Sequence, residues 1–153
     1  MMRLLPMLLS LVFPACGEDG IGGLPVPVPI DLGRIERPET PNTYLAAPPG
    51  FSPAPDVVVG ERRDPALLYD AIRRVALARE GVFLHAEFAD RRQIHFVARS
   101  PLANYPDLVM AAVTPEGGLV LWSRSVYGRK DFGANAARIT AWLADLAGAL
   151  PAP

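Results

Sequence analysis

Three groups of side chains in this 153-residue sequence have the types and spacing that do chemistry. The first lies in SRSVYGRKDFGANAARI, where Arg124, Asp131, Asn135 and Arg138 crowd the junction between a strand-like run and an amphipathic run. Guanidinium and amide groups beside a helix N-terminus can hold an anion or a small polar molecule, because the first N–H groups of a helix lack partners and carry partial positive charge. The same residues also suit a plain corner. Asp131 is a natural N-cap and Gly128 admits a turn with positive φ, while Arg124 or Arg138 can pair with Asp131. Gly133 in the first turn of the helix costs about 1 kcal/mol relative to alanine, which makes sense where another backbone or a ligand comes close. The second group is His85, Glu87 and His95. Paired in the register that their apolar neighbours suggest, the three share one polar sheet face, and two imidazoles with a carboxylate can bind a divalent metal such as zinc. Solvated cross-strand neighbours have the same pattern. The third group is the hydroxyls of Ser123 and Ser125, which lack a Gly-x-Ser-x-Gly elbow. No glycine-rich phosphate loop, cysteine pair or HExxH helix accompanies them. The expectation is a non-enzymatic domain that binds a small ligand or another protein and needs no cofactor. The alternative is a metal-dependent or hydrolase-like enzyme that uses the polar corner or the histidine face.

Cys16 is the one cysteine, so no intrachain disulfide forms, and its position is informative. The chain starts MMRLLPMLLSLVFPACGEDG. Arg3 supplies a minimal positive charge, and the apolar run at residues 4–13 is too short to cross a bilayer core of about 30 Å as a helix. Small residues follow, which is the shape of a secretory signal peptide. An apolar run that ends at a cysteine resembles a bacterial lipoprotein signal, cut just before the cysteine with lipid attached to its sulfur. Ala15 fits the position before the cut, whereas Phe13 and Pro14 stand where such signals carry Leu and a small residue. Gly17 in place of Asp favours export to the outer membrane. The resemblance implies a signal peptide at 1–15, lipid on Cys16, and a periplasm-facing location in the bacterial cell envelope. The membrane is then a partner through the anchor. With a formal net charge of −1 and arginines scattered among acids, the chain lacks the concentrated basic face of a nucleic-acid binder.

These side chains must be positioned by a small domain. Half the residues are hydrophobic, enough for one core. Residues 16–56 are rich in Pro and Gly, and LPVPVPIDL alternates proline with aliphatics. Proline cannot donate to a ladder and fixes φ, so this stretch reads as a semi-rigid extended tether. Its first part, to about Glu36, is expected to be free; the later RPETPNTYLAAPPGFSPAP, with Tyr44, Leu45 and Phe51, is expected to dock on the core. The domain proper is expected at 57–150. In RRDPALLYDAIRRVALAREG, Asp64 caps a helix, Pro65 takes its first position and Gly81 stops it. Two strand-like runs follow, VFLHAEFA and QIHFVARS, then DLVMAAVT and LVLWSRSV joined by a Pro115–Gly118 hairpin turn. Leu84, Ala86 and Phe88 are expected on one face with Ile94, Phe96 and Ala98. A last helix begins near Asp131, with Phe132, Ile139, Trp142, Leu143, Leu146 and Leu150 as its buried stripe. Trp122 and Trp142 are expected in the core. The order predicts an α+β fold: a four-stranded antiparallel sheet flanked by two helices.

The corner segment resembles the signature of the domain of unknown function family 1499, a pattern of Ser-Arg, a later Gly, then Asp-Phe-Gly-x-Asn and an Arg. Here these are Ser123 or Ser125, Arg124, Gly128, Asp131, Phe132, Gly133, Asn135 and Arg138. RPETPNTYLAAPPG resembles the family's opening and LHAEF its first strand, so the likeness spans residues 37–150. Where the family carries paired acids before its third strand, this sequence has Asp107 alone. The resemblance implies a fold and a cell-envelope setting without assigning a reaction.

Overall fold

The structure, a computed structural model, describes residues 4–152; Arg3, the positive charge of the proposed signal, lies outside them. Helix α1 spans Leu4–Leu9, α2 Pro65–Leu77 and α3 Ala134–Ala149. The strands are β1 Thr43–Ala47, β2 Val57–Val58, β3 Val82–Phe88, β4 Gln93–Arg99, β5 Pro106–Val113 and β6 Leu119–Ser125. They form one six-stranded sheet in the order β2-β1-β6-β5-β4-β3. The fold is thus mixed α+β, as the order of elements predicts. The sheet is larger than the expected four strands, and the described residues form three α-helices rather than the expected two.

The two added strands come from the Pro-rich stretch. β1 pairs antiparallel with β6, Leu45 opposite Trp122, and β2 pairs parallel with β1. Asp56 holds the crossover: its carboxylate accepts the Leu45 N–H at 2.8 Å and the Arg37 guanidinium at 2.5 Å. At the far end, the β5–β6 turn passes against the chain entering α2, with Arg63 N–H donating to Gly117 O. Gly117 has φ +82°, and a Cβ there would collide with the Arg63 carbonyl, so only glycine fits.

Both faces of the sheet are covered. On one face α2 and α3 pack Leu68, Ile72, Ile139, Trp142 and Leu146 onto Ile94, Phe96, Val109 and Leu121. Asp64 caps α2 by accepting from Leu67 N–H at 2.9 Å, with Pro65 at its first position. On the opposite face Leu45, Met110, Val120 and Trp122 are buried beneath Ile30, Leu32, Ile35 and Phe51. The segment expected to be a free tether is therefore a strap. The Gln93 side chain fastens it, accepting from Ile30 N–H at 2.7 Å and donating to Ile30 O at 2.9 Å. Proline bars residues 25–29 from a ladder, yet leaves their side chains free to cover apolar surface.

Two details of side-chain direction differ from the alternation of the sequence. The β3–β4 register shifts between Leu84 and Ala86, so Leu84 faces Phe96 but Ala86 faces His95. This bulge at His85 turns Ala86 and Phe88 to the strap face and Glu87 to the helix face, since one extra residue reverses every direction beyond it. Phe132 is 96 % exposed rather than part of the buried stripe, because α3 begins two residues later, at Ala134.

Candidate functional site

The corner comes from three neighbouring elements. β6 ends in Ser123–Ser125, α3 opens with Asn135, and β5 begins with Asp107. Asn135, fully buried, sits at the centre. Its carbonyl oxygen accepts from the Ser123 hydroxyl at 2.5 Å and from Arg138 Nη1 at 2.9 Å. Its amide donates to Asn42 O, to Ser125 Oγ and to the Asp131 carboxylate at 2.7 Å. Asp131 Oδ2 also accepts the Asn135 backbone N–H, and Oδ1 accepts Gly133 N–H, each at 3.0 Å. Asp131 therefore caps α3 from three residues before its start, whereas the residue at the cap position is Gly133 in a left-handed conformation. That φ of +82° accounts for the glycine. Nothing lies within 4 Å of where its Cβ would be, so close approach is not the reason.

Electrostatics follow the same geometry. Burial works against the charge of Asp131, but hydrogen bonds from the Asn135 backbone and amide and from Gly133 outweigh it, and its pKa is lowered. Arg138 does not pair with Asp131. Its Nη2 donates to Asp107 Oδ2 at 2.8 Å, and both side chains are largely buried. Burial pushes Asp107 up, opposed by Arg138 and Ser125. The cleft of about 580 Å³ beside the corner is lined by Asp131 and Gly133 on one side and by Arg37, Thr40 and Tyr44 on the other. Asn135 and Arg138 are turned inward to their partners and do not line it. Ser123, fully buried, donates to Asn135 and accepts from Arg138 at 2.9 Å, which leaves it no base to activate it.

Arg124 leaves the group entirely. It points to the strap face, where its guanidinium lies 4.3 Å from the centre of the Trp122 ring. Among the described residues no carboxylate or carbonyl takes a hydrogen bond from it, and burial lowers its pKa. It lines a cavity of about 200 Å³ with His85, His95, Leu108, Met110 and the strap residues Pro25, Val26, Pro27, Val28 and Ile30. His95 is 7 % exposed. Its Nε2 lies 2.7 Å from Gln93 Oε1, an acceptor, so Nε2 carries the proton and Nδ1 the free lone pair. Burial, then the nearby Arg124 and His85, push His95 down to about 4, so it is neutral at pH 7. The polar sheet face expected for His85, Glu87 and His95 is thus divided. Both histidines line the cavity, whereas Glu87 faces α2, accepting from Tyr69 Oη at 2.8 Å and from Arg73 Nε at 3.2 Å. Among the described residues no three metal-ligating side chains gather.

Sequence reasoning missed the strap and Gln93. A signal was present: LVMAAV in β5 and LVLW in β6 are apolar at consecutive positions, as in strands buried on both faces. No curated protein and no solved structure matches the chain. The family model of a protein of unknown function, DUF1499, matches residues 37–146, from Arg37 at the β1 crossover to Leu146 in α3 and across the whole corner. The chain belongs to that family.

Proposed function

We propose that this protein is a lipid-anchored cell-envelope domain that binds a small anionic ligand and does not turn it over. The observation that carries the binding is Arg124: a half-buried guanidinium, five donors strong, with no protein acceptor among the described residues and a cavity before it. A planar cation stacked on an aromatic ring is held ready for a carboxylate or phosphate oxygen. At about 200 Å³ the cavity suits an anion of a few heavy atoms, below the roughly 300 Å³ where drug-sized ligands begin. Neutral His95, with its free Nδ1, adds an acceptor for a ligand hydroxyl. The corner residues Asp131, Asn135 and Arg138 serve in this reading to hold the strand-to-helix junction, because their groups are engaged with one another. The anchor rests on the apolar run ending at Cys16, and the outer membrane, facing the periplasm, is its proposed destination.

Thermal unfolding at pH 7 with inorganic phosphate and with acetate tests the binding. The wild type should gain stability with ligand concentration, by about 2.7 kcal/mol at 100 times Kd, while Arg124→Gln should not. Equal stabilisation of both proteins would remove Arg124 from the site. Metabolic labelling with a fatty-acid analogue tests the anchor. Label on the wild type and none on Cys16→Ser is the expected result, and an unlabelled wild type would refute it.

A further inference from the structure

The chain around Cys16 is gripped by the domain. Arg99, at the end of β4 and only 8 % exposed, has no carboxylate at hydrogen-bond distance among the described residues. Its guanidinium is satisfied by backbone carbonyls: Nε donates to Gly20 O at 2.7 Å, Nη2 to Gly22 O at 2.9 Å, and Nη1 to Ala15 O at 2.6 Å and Asn104 O at 3.1 Å. Asn104, held at φ +55° in the β4–β5 loop, donates to Cys16 O at 2.8 Å and Glu18 O at 2.7 Å. Carbonyls of residues 15, 16, 18, 20 and 22 are thereby fixed to one end of the sheet. That end also exposes apolar side chains. Leu102 is 81 % and Phe83 39 % exposed, and with Pro101 they line a cavity shared with Leu4, Leu5 and Pro6 of α1. Phe13 packs on Tyr105 and Tyr127, ring centres 5.6 and 4.9 Å away.

We infer that this end of the domain is a membrane-seating surface, so that the anchored protein lies directly on the bilayer rather than at the end of a tether. The inference rests on acylation of Cys16. Removal of residues 1–15 takes away Phe13 and α1 and uncovers Phe83, Leu102, Tyr105 and Tyr127 around the cysteine that carries the lipid. The grip survives the cut, since Gly20, Gly22 and Asn104 still accept from Arg99, and Cys16 and Glu18 from Asn104. The acyl chains then leave the protein amid an apolar rim with two tyrosines, the side chains that sit well at a bilayer interface. The occupant of this surface is the lipid itself. Asp19 lines the same cavity and the net charge is −1, so the apolar rim, rather than attraction of basic side chains to anionic headgroups, carries the seating. Seating should therefore persist at high salt, where charge-driven binding is screened.

The test uses the acylated full chain in phosphatidylcholine vesicles. Leu102→Cys and Glu116→Cys place a single free thiol at opposite ends of the sheet, Cys16 being lipidated, and each takes a fluorophore. Brominated acyl chains should quench position 102 at least roughly threefold more than position 116, since seven or eight residues at about 3.3 Å each keep the ends about 25 Å apart. Arg99→Met should reduce that ratio toward one. Equal quenching at both positions in protein whose mass shows acylated Cys16 overturns the seating and leaves the anchor intact. Protein with no acyl mass at Cys16 overturns both.

Discussion

The corner and the strap face are both built from buried polar residues, and they differ in what those residues are bonded to. At the corner, Asn135, Asp131, Arg138, Ser123 and Asp107 answer one another donor for acceptor. On the strap face, half-buried Arg124 and buried His95 retain unused hydrogen-bonding capacity. Polar groups that satisfy each other fix a conformation. Groups that line a cavity with capacity to spare are poised for something from outside. A motif dense in polar residues is therefore a poor guide to a site until the bonding of each atom is known.

The two arginines give the sharpest contrast. Arg138→Met strands a buried carboxylate at Asp107, and breaking a buried pair costs about 3–5 kcal/mol. Arg124→Met removes no ion pair and should cost about 1 kcal/mol, the stacking on Trp122. Urea unfolding at pH 7 measures both. The Arg138→Met deficit should shrink as pH is lowered, because burial already raises the Asp107 pKa and the carboxyl escapes its cost by taking a proton. Equal losses would erase the distinction between the regions.

The second difference concerns pH. His95 titrates at about 4 in the fold against 6.5 when unfolded. A lowered histidine pKa means that the native state resists protonation. Stability is therefore whole above 6.5, falls as pH drops from there toward 4, and is constant below. The total is about 3 kcal/mol at 1.36 kcal/mol per unit. The groups around it are Arg124, His85 and Gln93, none of them acidic. His95→Gln should flatten this part of the stability curve. A wild-type curve already flat from pH 7 to 4 would show that His95 is hydrated.

At the corner the slope comes from Asp131, and its effect is smaller. Asp131→Ala should cost about 1–2 kcal/mol as a lost cap, with Asp131→Asn recovering most of it. Its lowered pKa places the contribution above the usual carboxylate range near 3.9. It is lost as pH falls through the folded value, so wild type and Asp131→Asn should converge in acid. Full stability in Asp131→Ala at neutral pH would mean that Gly133 and Asn135 find other acceptors.

How much of this was legible in the sequence depends on the range of the interaction. α2 declared its start through Asp64 and Pro65, although it ends at Leu77, four residues before the Gly81 stop that the sequence suggests, and β3 to β6 declared themselves through alternation and turns, all local signals. β1 was hidden because TYLAA is short and flanked by proline, and its pairing with β6 spans about eighty residues between Thr43 and Arg124. The bulge at His85 has no local mark, yet it alone sent Glu87 to α2 and left the histidines together. The aspartate cap was readable from residue type. Its partner was not, because Asp107 approaches Arg138 only once β5 lies beside β6.

The smallest expected effect concerns Phe132, within the corner segment yet bonded to none of its network. It is 96 % exposed and held at φ +53°. A non-glycine residue in the left-handed region carries strain of about 1 kcal/mol or more, and an exposed ring contributes no burial to offset it. Asparagine tolerates that conformation better than phenylalanine. Phe132→Asn should therefore leave stability unchanged or raise it by up to about 1 kcal/mol. Phe132→Gly isolates the backbone: it relieves the same strain but loosens the unfolded chain, so it should fall at or below the Asn variant. Chemical denaturation of the pair against wild type reads the difference. A loss above about 1 kcal/mol in Phe132→Asn would show that the ring packs on the protein in solution. Unchanged stability leaves the fold with no use for phenylalanine at the most exposed point of its own corner.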